Sequence, residues 1–505
     1  MQLEAFLKAS KYFSLGHLPT EGFHPSTEFL SSMAKEDPET AIRVLQDIDL
    51  HAMDVVKEAL PLIRTLSSEI DRTLDSGARV FLSGCGATGR LALTLESVFR
   101  SIHAGTPLEN RVQALMAGGD FALVKSVENF EDFPEYGKRH LSDLGFSEGD
   151  LLIAITEGGE TPYVLGTLAG ALETSTRSPW FVYCNPREIL CKTIERSREV
   201  IENPRVNSLC LPVGPMALSG STRLQAATAQ MLAVGMALTR NFFLADLFLD
   251  EYSKLDLTPF LKPVIEWEAF AYLGDAVVLY QTSTYPIAVL TDTTERSPTF
   301  SLTPFEKSTE PKAPHSLCYL SIPDAHSPLE SWQRILGRAP IGLDWPELPN
   351  RLDLESILEF DFGREAAERR RKRVRPKEQR IVRLDGHHRT GELELKSDVF
   401  DLRIQTNLIQ DPLGEQILVK MILNTLSLLV MGRLDRYEGN VMTWVRASNG
   451  KLIDRTLRYL ERLMDQRGLS PMPREELAQM VFELQPTLAP DEPLILTLLD
   501  KISRK

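Results

Sequence analysis

Three segments set glycine beside hydroxyl side chains in a way that suits an anion: Gly84-Cys85-Gly86-Ala87-Thr88-Gly89-Arg90, Thr156-Glu157-Gly158-Gly159-Glu160-Thr161 and Ser219-Gly220-Ser221-Thr222-Arg223. Glycine lets backbone N–H groups approach a charged ligand closely, and a helix start adds partial positive charge. Thr88 adds a hydroxyl donor to the first loop and Arg90 a charge. Gly84, Gly86 and Gly89 have the spacing of a GxGxxG loop, but a lone glycine loop is weak evidence for a dinucleotide. One such loop alone could be no more than a tight turn. Three of them, each after a strand-like run, would gather at one edge of a parallel sheet, where ligands bind in open α/β folds. A phosphorylated sugar fits that chemistry.

The elements that must position these loops show in the apolar pattern. ARVFLSG (78–84), VQALMAGG (112–119), DLLIAIT (150–156), PWFVYC (179–184) and SLCLPV (208–213) are short apolar runs, each followed by a loop and a helix-length segment. Continuous apolar runs suit strands buried on both faces, and their alternation with helices predicts a parallel sheet covered by helices. A long helix over 221–244 closes this unit. From about Tyr252 the pattern starts again, with strand candidates at 275–281, 316–322, 379–384 and 399–406 and a long helix over 413–436. The loop corresponding to GCGATGR then reads Gln281-Thr282-Ser283-Thr284-Tyr285-Pro286 and has no glycine. The reading divides the chain into a helical segment (1–58), a ligand-binding unit (59–250), a degenerate second unit (251–455) and a helical cap (456–505). The cap is broken by Pro471, Pro473, Pro486, Pro490 and Pro493.

Composition narrows the function classes. Lys and Arg number 56 against 70 Asp and Glu, so the 505-residue chain carries a formal charge of −14. Nucleic-acid binding as the main activity is disfavoured, because phosphate backbones call for a basic face. The dense basic run at 364–380 is expected to be a solvated helix or loop between the two units. Five cysteines without a CxxC pair predict reduced thiols in a cytoplasmic protein. The apolar stretch from Ile417 to Met431, interrupted by Lys420 and Asn424, is expected to be a buried helix and not a membrane span. Adjacent His387 and His388 would point to opposite faces of a strand, so no metal site is expected. No phosphate-binding P-loop, serine elbow or zinc spacing is present, and no cofactor is expected.

With these segments in view, GCGATGRLAL, the VENFED stretch (127–132), TPYVLGTLAGAL (161–172), CNP (184–186) and VGPMALSGSTRLQAATAQ (213–230) resemble sugar isomerase (SIS) domains. The opening TEGFHPST (20–27) and the closing RASNGKL (446–452) are similar to the branch that holds N-acetylmuramic acid 6-phosphate etherases and glucokinase regulatory proteins. The resemblance implies two doubly wound α/β units packed as a pseudo-dimer. It also implies a sugar-phosphate site built from Gly86, Thr88, Gly89, Arg90, Glu131, Thr156, Gly158, Ser221 and Thr222, with Lys451 reaching in from the second half.

Activity turns on carboxylates. An etherase must take a proton from C2 of the sugar and deliver one to the ether oxygen at C3. The resemblance puts Glu131 at the base. The acid's position falls on Val98, which cannot transfer a proton, with Glu96 rotated away on the same helix and Glu295 in a matching context in the second half. The two-unit layout favours a regulatory sugar-phosphate-binding protein, with a sugar kinase or another protein as reader. The alternatives are a lyase that eliminates lactate from an amino-sugar 6-phosphate, and a phosphosugar isomerase. Gln225, where the branch has lysine, and the loop carboxylates Glu157 and Glu160 lower the positive potential at the site, and Glu160 is expected to point to solvent.

Overall fold

The computed structural model describes residues 2–127, 130–489 and 492–504; Glu128 and Asn129 of the VENFED stretch, and Pro490 of the cap, lie outside the described residues. The first sheet contains β1 (Val80–Gly84), β2 (Val112–Met116), β3 (Leu151–Ile155), β4 (Trp180–Tyr183) and β5 (Asn207–Cys210), all parallel, in the order β2-β1-β3-β4-β5. Every residue of β1 and β3 is buried, as their unbroken apolar runs require. The order reverses at β1 and β3, so the loops after both strands open on the same crevice.

The second sheet holds β6 (Val277–Gln281), β7 (Cys318–Ser321), β8 (Gln379–His387), β9 (Glu392–Lys396) and β10 (Asp401–Gln405), in the order β10-β9-β8-β6-β7. Strand β6 pairs in parallel with β7 and β8, whereas β8, β9 and β10 form an antiparallel meander. The α/β class and the two-sheet layout hold. The sheet departs from parallel where hairpins replace helical crossovers, and β9 is a strand the apolar runs did not mark. The basic run is not a connector between the units. It forms a helix inside the second one, with Arg370 buried against Glu306 and Ser316.

The helices used below are α1 (Leu3–Phe13), α2 (Ala87–Ile102), α3 (Pro162–Thr174), α4 (Gln225–Thr239), α5 (Pro286–Phe300), α6 (Arg364–Arg373), α7 (Pro412–Arg433), α8 (Gly450–Gln466) and α9 (Arg474–Leu484). Helix α7 is long and apolar enough to cross a membrane, but 94% of that window is buried within the fold, where it acts as a core helix. It packs against α4 of the first half and α5 of the second, so the two long helices meet at the seam.

The seam is polar at its centre. Arg223, just before α4, donates to Asp292 on α5 at 3.2 Å and to Asn424 and Ser427 on α7 at 3.1 Å each. Asp292 also receives Arg296, which reaches on to Glu268, so the charges alternate through a buried chain. Lys420 of α7 donates to the Arg223 and Leu224 carbonyls and to the Thr228 hydroxyl. Breaking a buried pair by removing one partner leaves its charge uncompensated. Arg223→Met is therefore expected to cost about 3 kcal/mol, read as a lower urea midpoint at unchanged slope. A midpoint equal to wild type would show that the seam does not depend on this pair.

Candidate functional site

The first loop is built to expose backbone donors. Gly86 has φ +54°, and a Cβ on Gly84 would stand 2.3 Å from the carbonyl carbon of Thr88, so the strand enters α2 without room for a side chain. Thr88 fixes the turn: its hydroxyl accepts from the Cys85 N–H at 2.9 Å and donates to the Cys85 carbonyl at 2.8 Å. Gly89 packs against Met116 of β2. Arg90, expected at the ligand, faces the seam instead. Its guanidinium donates to the carbonyls of Leu123 and Ala122 and to the Thr294 hydroxyl, with Glu295 3.5 Å away. Arg90 and Glu295 are thus brought together across the halves as a structural pair.

The second and third loops meet the first. Thr156 and Thr161 share a hydrogen bond at 3.0 Å at the start of α3, and the Gly158 carbonyl accepts from Asn185 at 3.0 Å. Asn185, from the CNP segment, also donates to Thr20, and the Thr20 N–H donates back to Asn185. Ser221 and Thr222 precede α4. Their loop is anchored by Ser219, which donates its hydroxyl to the Glu21 carbonyl and accepts at its own carbonyl from Tyr459.

Helix α8 closes the site. Its cap, Asn449, accepts from the Leu452 N–H and donates at 3.4 Å to Glu131. Glu131 also accepts from the Cys85 thiol at 3.4 Å. Lys451 donates to Glu160 of the second loop at 3.0 Å. Burial opposes the charge on Lys451, but Glu160, Glu21 and Glu131 outweigh it and raise its pKa. The expectation for Glu160 is corrected here. It is 4% exposed and clamped between Lys451 and Arg196, because the loop turns its side chain inward toward two cations. The mouth is lined by Tyr12, Phe13 and Leu15 from the N-terminal segment, and Arg196 stacks on Tyr12 at 4.1 Å.

Two further carboxyls, Glu96 and Glu157, differ sharply in their surroundings. Glu96 gives both oxygens to arginines, to Arg100 and Arg338 at 2.9–3.2 Å, and is no proton donor for a ligand. Glu157 does more than lower the positive potential of its loop. It is buried, its Oε1 has no hydrogen-bond partner, and burial raises its pKa to about 7 against the pull of Lys451 and the Thr222 hydroxyl. The only signal in the sequence was its position directly after Thr156 at a strand end.

In the second half the matching loop is filled by the protein itself. Asp385 accepts from the Ser283 N–H at 3.3 Å, Asp324 accepts from the Ser283 hydroxyl at 2.7 Å, and Tyr285 hydrogen-bonds Glu415. Carboxylates hold the donors that an anion would need. Among the described residues His387 lies near Glu392 and Glu394, but Arg403 pairs with both glutamates, and His388 turns away to the Ile409 carbonyl.

A doubly wound parallel sheet with glycine–hydroxyl loops at its switch point, met by a lysine from the second half, is the arrangement of an SIS-type protein. The family model of the glucokinase regulatory protein N-terminal SIS domain matches residues 62–172. An N-acetylmuramic acid 6-phosphate etherase of Prochlorococcus marinus strain MIT 9303 is 35% identical over 225 residues, 44% of this chain and 66% of the relative. That of Psychromonas ingrahamii is 32% identical over 223 residues, 44% of this chain and 69% of the relative. The chain thus spans just under two thirds of the Prochlorococcus relative. Among solved structures, the C-terminal domain of glucosamine-fructose-6-phosphate aminotransferase from Francisella tularensis aligns with TM-score 0.38 at 8% identity, covering 76% of this chain and 96% of that one. The chain belongs to the SIS-domain branch of the N-acetylmuramic acid 6-phosphate etherases and the glucokinase regulatory protein.

The Glu157 carboxyl gives a pH signature. Its folded pKa, about 7, lies above the ordinary 4.5, so the stability it contributes is complete below pH 4.5 and lost as pH rises through 7. The thermal midpoint should fall over that window in the wild type and fall less in Glu157→Gln. Parallel pH profiles for the two proteins would refute the buried, poorly compensated carboxyl.

Proposed function

We propose that the first unit (59–250) binds a phosphorylated amino sugar and eliminates a lactyl ether from it, while the second (251–455) serves as a scaffold that lends Lys451. The observation that carries this reading is the pair of carboxyls at the first loop, where Glu131 accepts the Cys85 thiol and Glu157 lies close enough to raise the same thiol's pKa. Two carboxyls in different environments can divide base and acid roles. The N–H groups around Gly86 to Gly89, with Ser221 and Thr222, would hold the phosphate. Glu131 would take the C2 proton as the C3–O bond breaks. Glu157, with a pKa near 7, would give its proton to the departing lactate oxygen, leaving a C2–C3 double bond. The acid role passes from Glu295 and Glu96, both engaged by arginines, to Glu157. The relatives' etherase names support this direction. Five free cysteines agree with a cytoplasmic location.

A regulatory, non-catalytic reading is favoured by one feature: Lys451 is already engaged by Glu160 beneath the N-terminal segment. A ligand would displace that pair, and a protein partner such as a sugar kinase would read the change.

Lactate release from N-acetylmuramic acid 6-phosphate separates the two. The lyase reading expects turnover by the wild type, loss in Glu131→Gln and a drop of about 10²–10⁴-fold in Glu157→Gln. Thermal stabilisation by fructose 6-phosphate or an amino-sugar phosphate with no lactate would leave the regulatory reading alone. Under either, calorimetric titration should give one ligand per chain. Lys451→Ala should weaken binding, whereas a stoichiometry near two would refute the scaffold role of the second half.

A further inference from the structure

A hollow of about 970 Å³ lies in the second half and is lined by Arg371, Arg375, Lys377, Arg380, Arg383 and Lys396. Six cations on one wall are notable in a chain of net charge −14. Their clustering follows from the topology. Where β8 and β9 turn antiparallel, the sheet keeps Val382, Leu384, Leu393 and Leu395 buried and leaves the residues that alternate with them, Arg383 and Lys396 among them, exposed or half-buried. On that face Arg383 stands directly across from Lys396, a like-charge pair that a facing anion would relieve. Above it, the end of α6 and the following turn present Arg371 and Arg375. Both are exposed, and neither has a carboxylate partner among the described residues. Among the described residues Arg383 has only the neutral Gln281 at 3.3 Å. Lys377, Arg380 and Lys396 are paired with Asp275, Glu378 and Asp401.

The rim is apolar. Phe270 and Leu273 are 67% and 70% exposed, and the Arg380 guanidinium lies 5.6 Å from the Phe270 ring. Val399, 65% exposed, follows Asp398 at the groove edge. Free arginines beside exposed apolar side chains match a segment that carries both carboxylates and a hydrophobic residue. Glu378 and Asp398 interrupt the cations of the same wall, so it suits separated carboxylates better than a continuous phosphate backbone or an anionic lipid surface.

We infer that this hollow is a docking groove for an acidic peptide segment of a partner protein, whose carboxylates meet Arg371, Arg375 and Arg383 while an apolar side chain rests on Phe270 and Leu273. Charge pairing across such a rim sets encounter rate and salt dependence, and the apolar contact sets residence. The surface is independent of the sugar site and of what that site does.

The test is fluorescence anisotropy of a labelled synthetic peptide alternating glutamate with leucine, titrated with the full chain, beside a counterpart with lysine for glutamate. The acidic peptide should bind, with affinity falling as salt is added, and the basic one should not. Arg371→Glu with Arg375→Glu should weaken binding about tenfold or more, at unchanged thermal midpoint and unchanged stabilisation by sugar phosphate. Phe270→Ser should weaken binding without changing its salt dependence. Absence of binding, or equal binding by the double variant, would overturn the proposal. So would tighter binding of a DNA duplex or an anionic vesicle through the same two arginines, which would assign the groove to a different occupant.

Discussion

One buried carboxylate holds the site together. Glu21 lies between Arg455, at 2.6 and 3.0 Å, and Arg458, at 2.8 Å. Burial alone would raise its pKa, yet the two arginines and Lys451 bring it down to about 2. A charge removed from water stays charged only if its partners replace the lost hydration. Glu21 therefore dictates where α8 must sit, and α8 carries Asn449 and Lys451. The Glu21 carbonyl takes the Ser219 hydroxyl, so the third loop is tied to the same point. The neighbouring Thr20–Asn185 pair ties in the segment after β4. An N-terminal segment that looks peripheral in the chain is thus the clamp on which the ligand pocket depends.

The first sheet was legible because strands buried on both faces leave apolar runs, and glycine loops mark the exits of β1, β2 and β3. The second sheet was less so. Strand β9, Glu392-Leu393-Glu394-Leu395-Lys396, has the strict alternation of a half-buried strand, but at five residues and with three charges it reads equally as a loop. Within the site, loops and hydroxyls were legible and directions were not. Arg90 follows the glycine loop as a phosphate-binding arginine would, but the first turn of α2 aims it at the second half, which no local pattern encodes. Glu160 was assigned to solvent because a carboxylate near an anion site is costly. Its partners, Arg196 and Lys451, lie 36 and 291 residues away in sequence. The burial of Glu157 is hidden for the same reason.

The two halves treat their anion loops differently with one chemistry. In the second, Asp324 and Asp385 satisfy the loop donors permanently, and Tyr285 fills the space above Gly386. In the first, the Cys85 and Thr88 N–H groups are spent inside the turn itself, and the internal carboxylate, Glu160, is set against the cations instead. One arrangement closes the loop with carboxylates, and the other keeps Glu160 paired with Lys451 beside it.

The seam has a consequence for how this site survives dilution. In a symmetric homodimer every contact across the interface occurs twice, so each residue must suit both copies. Here Arg223 meets Asp292 once, and the two partners need suit only each other. Because the partners share one backbone, their encounter is intramolecular and proceeds at a high effective concentration whatever the abundance of the protein. A pocket that borrows its lysine from the other half would fall apart at low expression if the halves were separate subunits. Joined in one chain, it is complete in every molecule.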